Sequence, residues 1–174
     1  MPWNEHTVPG IKYFSGTATS SIKFDLPKDF LKPSTEVWLD LGDVKVIAEV
    51  RVNGKKLGVL WHKPFTVEVS KALKSGENTL EVEVTNLWIN RLIGDEQYPD
   101  DCQYNDTDND WFTDRSLANW PDWLTSGKER SVPQRVTFTT WKHWNKGDKL
   151  QPSGLIGPVT LTAVSLVPLQ INID

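Results

Sequence analysis

Apolar and polar residues alternate along much of the chain with the period of two that a half-buried β-strand requires. The alternation is clearest in three segments, and in each segment the apolar residues lie on one face of the predicted strand: Val37, Leu39 and Leu41; Val46, Ala48, Val50 and Val52; Leu80, Val82 and Val84. Similar patterns over residues 11–14, 17–26, 134–144 and 158–168 predict further strands. Roughly eight or nine short strands with hardly any helix favour an all-β, antiparallel β-sandwich.

Turn residues separate the predicted strands. Asn53-Gly54 is the strongest hairpin signal, because both turn positions need a positive φ, and residues 56–62 are the predicted return strand. Ser70 is a predicted cap for one helical turn over residues 70–74. A chain of 174 residues suits a single domain. We therefore expect one sandwich over residues 1–174.

One long segment, residues 94–133, interrupts this pattern as a loop insertion. A structureless loop of this length is uncommon in a compact domain and is often functional. It contains ten acidic and three basic residues, whereas the whole chain carries a formal net charge of −4. Such an acidic segment argues against nucleic acid as a partner, because phosphates require a basic surface. No apolar run approaches the ~20 residues that cross a bilayer, so no membrane partner is expected.

Three aspartates in the insertion have the spacing that begins a calcium loop: Asp106, Asp108 and Asp110. Carboxylate oxygens are the ligands that calcium prefers. An EF-hand would then need Gly at the position of Trp111 and Glu at the position of Leu117, so this is not an EF-hand. An improvised calcium site and a solvated acidic turn both remain open, and no other cofactor is expected.

Six of the nine tryptophans lie within or beside the insertion: Trp88, Trp111, Trp120, Trp123, Trp141 and Trp144. A sugar ring has an apolar face that stacks on an exposed aromatic ring, with polar groups around it. Four residues could supply those polar groups: Asn90, Arg91, Asp95 and His143. The alternative is that the tryptophans form a small core of the insertion and that Arg91 is tied to Asp95, four residues on.

Several phrases carry a family resemblance. Four segments resemble the sugar-binding domain of family 2 glycoside hydrolases: the V-N-G turn at 52–54, Pro64-Phe65, the G-x-N sequence Gly76–Asn78, and the closing segment 154–161. The phrases at 11–19, 86–95, 138–144 and 152–155 are similar to the C-terminal β-sandwich of the bacterial family 106 α-L-rhamnosidases. Gly157 stands where the first pattern has Arg, and Ser20 where an aromatic residue is expected.

The resemblance implies a galactose-binding-like jelly roll, and the catalytic carboxylates of such enzymes lie in a separate barrel domain. It therefore implies a non-catalytic carbohydrate-binding or accessory module of a rhamnosidase-like glycoside hydrolase, with a glycan and a catalytic domain of the same parent as partners. A periplasmic or extracellular location would follow.

Two alternatives remain open. One is a purely structural domain that buttresses a catalytic barrel. The other is a small stand-alone glycosidase, because ten acids in the insertion could bring two carboxyl groups to the ~5–9.5 Å separation that glycoside hydrolysis requires.

Overall fold

A computed structural model describes residues 1–106 and 115–171. Its contacts divide the chain into two compact units. The first comprises Met1–Pro2, Gly16–Leu87 and Pro152–Asp174, and the second comprises Trp3–Ser15 and Trp88–Gln151. The organisation of residues 1–174 as a single domain stays a prediction.

The described elements are mostly strands. In chain order they are a 3-10 helix (Trp3–Glu5), α1 (Pro9–Lys12), β1 (Thr17–Leu26), β2 (Thr35–Asp40), β3 (Asp43–Lys45), β4 (Ile47–Val52), β5 (Lys55–Leu60), β6 (Thr66–Glu68), β7 (Gly76–Thr85), α2 (Ile89–Asp95), α3 (Asp122–Thr125), β8 (Gly154–Gly157) and β9 (Thr160–Ser165). None of the helices in the described part of the chain is both long and apolar enough to cross a membrane.

The first unit is an antiparallel β-sandwich, as the sequence predicts. Its sheets have the strand orders β1-β7-β4-β5, β6-β2-β9 and β3-β8, and every strand pair is antiparallel. The buried core comes from the predicted apolar faces together with the segments that flank them: Leu26, Val37, Leu39, Leu41, Val44, Ala48, Val50, Val52, Phe65, Val69, Leu80, Val82 and Val84. Burying such side chains is the main favourable term in folding.

Two local features of this unit follow directly from its glycines. The β4–β5 hairpin turns at Asn53-Gly54, with φ of 52° and 77°, which confirms the predicted tight turn. Gly42 and Gly157 form an isolated backbone bridge, and a Cβ on Gly42 would lie 2.5 Å from the carbonyl carbon of Gly157. The backbone at position 42 can therefore approach strand β8 this closely only if residue 42 is glycine.

Two short predictions in the sequence are wrong. Residues 11–14 do not extend a strand, because Pro9 begins the short helix α1, where its fixed φ suits the first helical turn. Ser70 does not cap a helix, because its hydroxyl accepts a hydrogen bond from the Val37 amide at 2.7 Å. Residues 70–72 form a turn instead.

The second unit is built from short helices and irregular chain. Trp3 and Phe14 pack edge to face, with ring centroids 5.5 Å apart. Helix α2 lies against Tyr13, since a Cβ on Gly94 would be 2.6 Å from the Tyr13 Cβ. Because helix α2 ends at Asp95, the predicted loop over residues 94–133 begins inside this helix. The predicted loop also includes helix α3.

Residues 134–144 do not form the predicted strand and have only an isolated bridge, at Trp141. At residues 136 and 137, backbone groups bond to side chains instead of to a neighbouring strand. The amides of Val136 and Thr137 donate to the Asp95 carboxylate, and the carbonyl of Thr137 accepts from Arg130 at 2.6 Å. The alternating pattern was misleading, and Val136 is 66% exposed.

The buried amide of Asn78 gives a test of the first unit. Its Nδ2 donates to the carbonyls of Lys74 and Gly76, and its Oδ1 accepts from the Lys74 amide and from Asn53 Nδ2, all within 2.9 Å. Replacing it by Ala removes all four bonds and leaves the part-buried backbone groups of Lys74 and Gly76 without these partners. We expect Asn78→Ala to lower the free energy of unfolding by about 3 kcal/mol.

Chemical denaturation measures this change. Glu77→Gln is the matched control, because the neighbouring Glu77 side chain is 62% exposed and its ion pair with Lys23 lies at the surface. Equal stability of Asn78→Ala and this control would show that the buried amide does not hold the turn.

Candidate functional site

The Asp95 carboxylate is the buried anchor of the second unit. It is 1% exposed, and its Oδ2 accepts from the amides of Val136 and Thr137 at 3.0 and 2.7 Å and from the Thr137 hydroxyl at 2.6 Å. Its Oδ1 lies 2.8 Å from Nη2 of Arg91, one helical turn earlier. Arg91 and Asp95 thus make the structural tie that their spacing suggests, and a ligand role for either stays a prediction.

Arg135 fixes the chain that follows helix α2. It is 7% exposed, and its Nε donates to the Pro99 carbonyl at 2.7 Å. Its two terminal nitrogens donate to Glu96 at 3.0 Å, to the Tyr98 carbonyl at 3.1 Å and to Asp100 at 2.8 Å. One planar guanidinium therefore holds four groups from residues 96–100, because all its nitrogens donate in fixed directions.

Arg130 makes a similar connection to the next residue of this segment, Asp101. It forms a close ion pair with Asp101, whose side chain is 1% exposed, and donates to the carbonyls of Arg135 and Thr137 at 2.8 and 2.6 Å. Sequence reasoning missed both arginines as organising residues. A signal was present, since basic residues are few in this acidic part of the chain and would attract its carboxylates.

Arg135 and Lys142 keep their positive charge in this network. Burial alone would lower the pKa of Arg135, but hydrogen bonding to Glu96 and the other nearby carboxylates outweigh it and raise the pKa. The pKa of Lys142 is raised in the same way by its carboxylate partners. Burial, with the negative charge of Asp101, raises the pKa of the Cys102 thiol to about 11, so this thiol is neutral at physiological pH.

Two of the predicted tryptophans meet on one aromatic cluster. Trp123 packs edge to face on Phe138 with ring centroids 5.5 Å apart, and Trp120 lies 6.2 Å from the same ring at 38°. The Arg130 guanidinium lies 4.7 Å from the Trp123 ring centroid, and the Trp123 indole N–H donates to the Asp101 carbonyl at 3.3 Å. Trp123 is therefore fixed on several sides, whereas Trp120 is 61% exposed.

These tryptophans line an open cleft of about 540 Å³. Its described lining consists of Asp100, Asp101, Cys102, Gln103, Asn119, Trp120, Pro121, Asp122, Trp123, Lys128, Glu129 and Ser131. The cleft combines one exposed aromatic ring with amide, hydroxyl and charged groups. Its volume lies within the range of ~300–1,000 Å³ typical of small-molecule sites.

The other predicted ligand-binding residues that the structure describes do not line this cleft. Trp88 is 66% exposed elsewhere in the unit, and the Asn90 side chain is buried against the backbone of Gln151, with bonds of 2.7 and 2.8 Å. Trp141 and His143 pack edge to face at 4.3 Å. Trp144 is half-buried and lies beside His143 in a cavity of only about 20 Å³. Trp111 lies outside the described residues.

Calcium binding stays a prediction. Asp106 is exposed, and Asp108 and Asp110 lie outside the described residues. Within residues 1–106 and 115–171, no three His, Cys, Asp or Glu side chains converge to hold a metal ion.

The fold and the sequence define the class of protein. The sandwich of the first unit has the strand content and antiparallel sheets of a galactose-binding-like domain. Residues 4–154 match the model of the family described as "Glycosyl hydrolase 2 galactose-binding domain-like". The chain belongs to this family, which confirms the resemblance and the fold class.

Two similar proteins are much larger than this chain. A "Putative beta-glucuronidase" of Formosa agariphila is 46% identical over 162 residues, which are 93% of this chain and 13% of that protein. A rhamnosidase structure from Novosphingobium sp. PP1Y is 34% identical, with a TM-score of 0.68 over 94% of this chain and 12% of that one. The chain thus corresponds to a small part of two large proteins with glycoside hydrolase names.

The Asp95 anchor can be tested by removing its charge. Asp95→Asn retains the shape but replaces an acceptor by an amide N–H and leaves Arg91 without its counter-charge. We expect the free energy of unfolding to fall by about 3 kcal/mol or more, as for a broken buried ion pair. Hydrogen exchange at the Thr137 amide should accelerate in the same variant.

The matched control is Asp122→Asn in the same unit, because the Asp122 side chain is 81% exposed and its pairing with Lys128 is at the surface. Its effect on stability should stay within about 0.5 kcal/mol. An Asp95→Asn variant as stable and as protected at Thr137 as this control would contradict the anchoring role.

Proposed function

We propose that this chain is a non-catalytic carbohydrate-binding module of a larger, rhamnosidase-like glycoside hydrolase, and that it binds glycan in the Trp120–Trp123 cleft. The observation that carries the proposal is the Trp120 ring, which is 61% exposed on the wall of a cleft of about 540 Å³. Exposure alone does not mark a site, since Trp61 and Trp88 are also exposed, but the Trp120 ring forms part of a concave surface where a sugar face could stack on it.

The arrangement suits a sugar ring chemically. Trp120 offers a stacking surface, and Trp123 is held in place by Phe138 and Arg130, so little conformational freedom would be lost on binding. Gln103, Asn119 and Ser131 provide amide and hydroxyl groups for the sugar hydroxyls. Stacking with a few hydrogen bonds in an open cleft fits modest, reversible binding.

The coverage of the two relatives supports a module without its own catalysis. The chain corresponds to only 12–13% of their lengths, which leaves ample sequence for a catalytic domain. Within the cleft, Asp101 is bonded to Arg130 and Asp100 is bonded to Arg135. Carboxylates held by cations are poor candidates for the protonated acid that glycoside hydrolysis requires.

A second role, docking to another domain of the same parent, is favoured by a different surface. The segment after strand β9 exposes several apolar side chains: Leu166 at 49%, Val167 at 86%, Leu169 at 85% and Ile171 at 75%. Contiguous apolar exposure of this kind often marks an interaction surface. Docking there and glycan binding in the second unit are compatible.

Affinity electrophoresis through gels that contain polysaccharides tests glycan binding. Trp120→Ala should abolish the retardation that the unchanged chain shows, because the stacking surface is lost, and its melting temperature should hardly change. Trp61→Ala is the control, since Trp61 is 68% exposed in the first unit. That variant should be retarded like the unchanged chain.

Two results would contradict the proposal. Retardation that survives Trp120→Ala would place binding elsewhere. A complete absence of retardation across a broad panel of polysaccharides would remove glycan binding and leave the docking role.

A further inference from the structure

The cleft carries an uneven charge. Four of its described lining residues are acidic and one is basic: Asp100, Asp101, Asp122 and Glu129 against Lys128. Lys128 lies 3.3 Å from Asp122, so its charge is already partly balanced. Glu129 is exposed and has no ion-pair partner among the described residues. A ligand in the cleft therefore faces more negative than positive charge.

The nearby arginines, Arg130 and Arg135, do not offset this negative charge for a ligand, because their N–H groups are already bonded within the protein. Proteins commonly bind carboxylate and sulfate groups through the forked N–H groups of Arg. Every guanidinium nitrogen of Arg130 is bonded to Asp101 or to the carbonyls of Arg135 and Thr137. The Arg135 nitrogens are used in the same way by residues 96–100. Both forks are directed at the protein's own groups.

Lys142 is committed as well. Its ammonium lies 3.1 Å from Glu96 and 3.1 Å from Asp100. An anionic sugar entering the cleft would lose hydration and meet carboxylates. Among the residues that the structure describes, the cleft has no guanidinium free to receive it. Like charges brought together at a binding surface lower affinity and exclude partners.

We infer that the cleft selects uncharged glycans and rejects those that carry uronic acid or sulfate groups. This selectivity rests on the proposed glycan-binding function of the same cleft. Glu129 is its main determinant, because it is an exposed carboxylate of the cleft lining without an ion-pair partner among the described residues. Asp122 adds to it, because its pair with Lys128 is exposed to water and therefore weak. Asp100 and Asp101 contribute less, since their charges are balanced by Arg135, Lys142 and Arg130.

The test uses matched polysaccharides. A panel of uronate-containing polysaccharides is prepared in native form and after chemical reduction of the carboxyl groups, which removes the charge and keeps the linkages. Neutral polysaccharides complete the panel. Affinity electrophoresis then compares each pair. We expect the native form to bind about tenfold more weakly than its reduced form, and the difference to shrink at high salt, where charges are screened.

A double variant, Asp122→Asn with Glu129→Gln, assigns the effect to the cleft. It should reduce the ratio of the two affinities severalfold. The control is Asp25→Asn with Asp29→Asn, which removes the same two charges at exposed positions of the first unit and should leave the ratio unchanged. This comparison separates a local effect from the overall charge of −4.

The outcomes distinguish the two proposals. Equal or stronger binding of the native uronate forms overturns the selectivity and leaves glycan binding intact. An unchanged ratio in the double variant also overturns it, because the carboxylates of the cleft would not be the cause. Retardation by none of the polysaccharides removes the glycan-binding function, and the selectivity with it.

Discussion

The irregular second unit depends on charged side chains that satisfy buried backbone groups. In a strand or helix, the backbone pairs with itself, and a long connection without such pairing must find other partners. Here the Asp95 carboxylate accepts from the amides of residues 136 and 137, while Arg130 donates to the carbonyls of residues 135 and 137 and Arg135 to those of residues 98 and 99. Removing one of these side chains would leave the backbone groups that it bonds without a hydrogen-bond partner. The second unit therefore depends on all three side chains.

This network also explains how three acidic side chains of the insertion can lie close together. Glu96, Asp100 and Asp101 would repel one another, but each lies against an arginine or lysine. With the backbone held in this way, the Trp123 ring is fixed against Arg130 and Phe138, and Trp120 is left facing the cleft. The same arginines that hold the cleft together are therefore unavailable to an anionic ligand, so architecture and proposed selectivity have one origin.

Much of the sandwich could be predicted from the sequence, because strand periodicity and turn chemistry are local. Val37, Leu39 and Val82 are buried as their alternation requires, and Asn53-Gly54 turns as expected. The second unit could not be predicted in the same way. Its partners are about forty residues apart, as in the contacts of Asp95 with Thr137, and no local pattern records them.

The candidate site could likewise be predicted only in part from the sequence. The tryptophan-rich composition indicated aromatic recognition, but composition could not separate the exposed Trp120 from the half-buried Trp123 and Trp141. Asn90 was a reasonable polar candidate by position, yet its amide is bonded to the backbone of Gln151. Which side chains face solvent is decided by contacts between distant segments, and those appear only in the folded chain.

The most direct measurement is NMR of the tryptophan indole N–H groups during titration with an oligosaccharide that the chain binds. If the Trp120–Trp123 cleft is the binding site, the Trp120 resonance shifts most and the Trp123 resonance follows, while those of the exposed Trp61 and Trp88 stay in place. Shifts centred on Trp61 or Trp88, with Trp120 unchanged, would contradict the central claim.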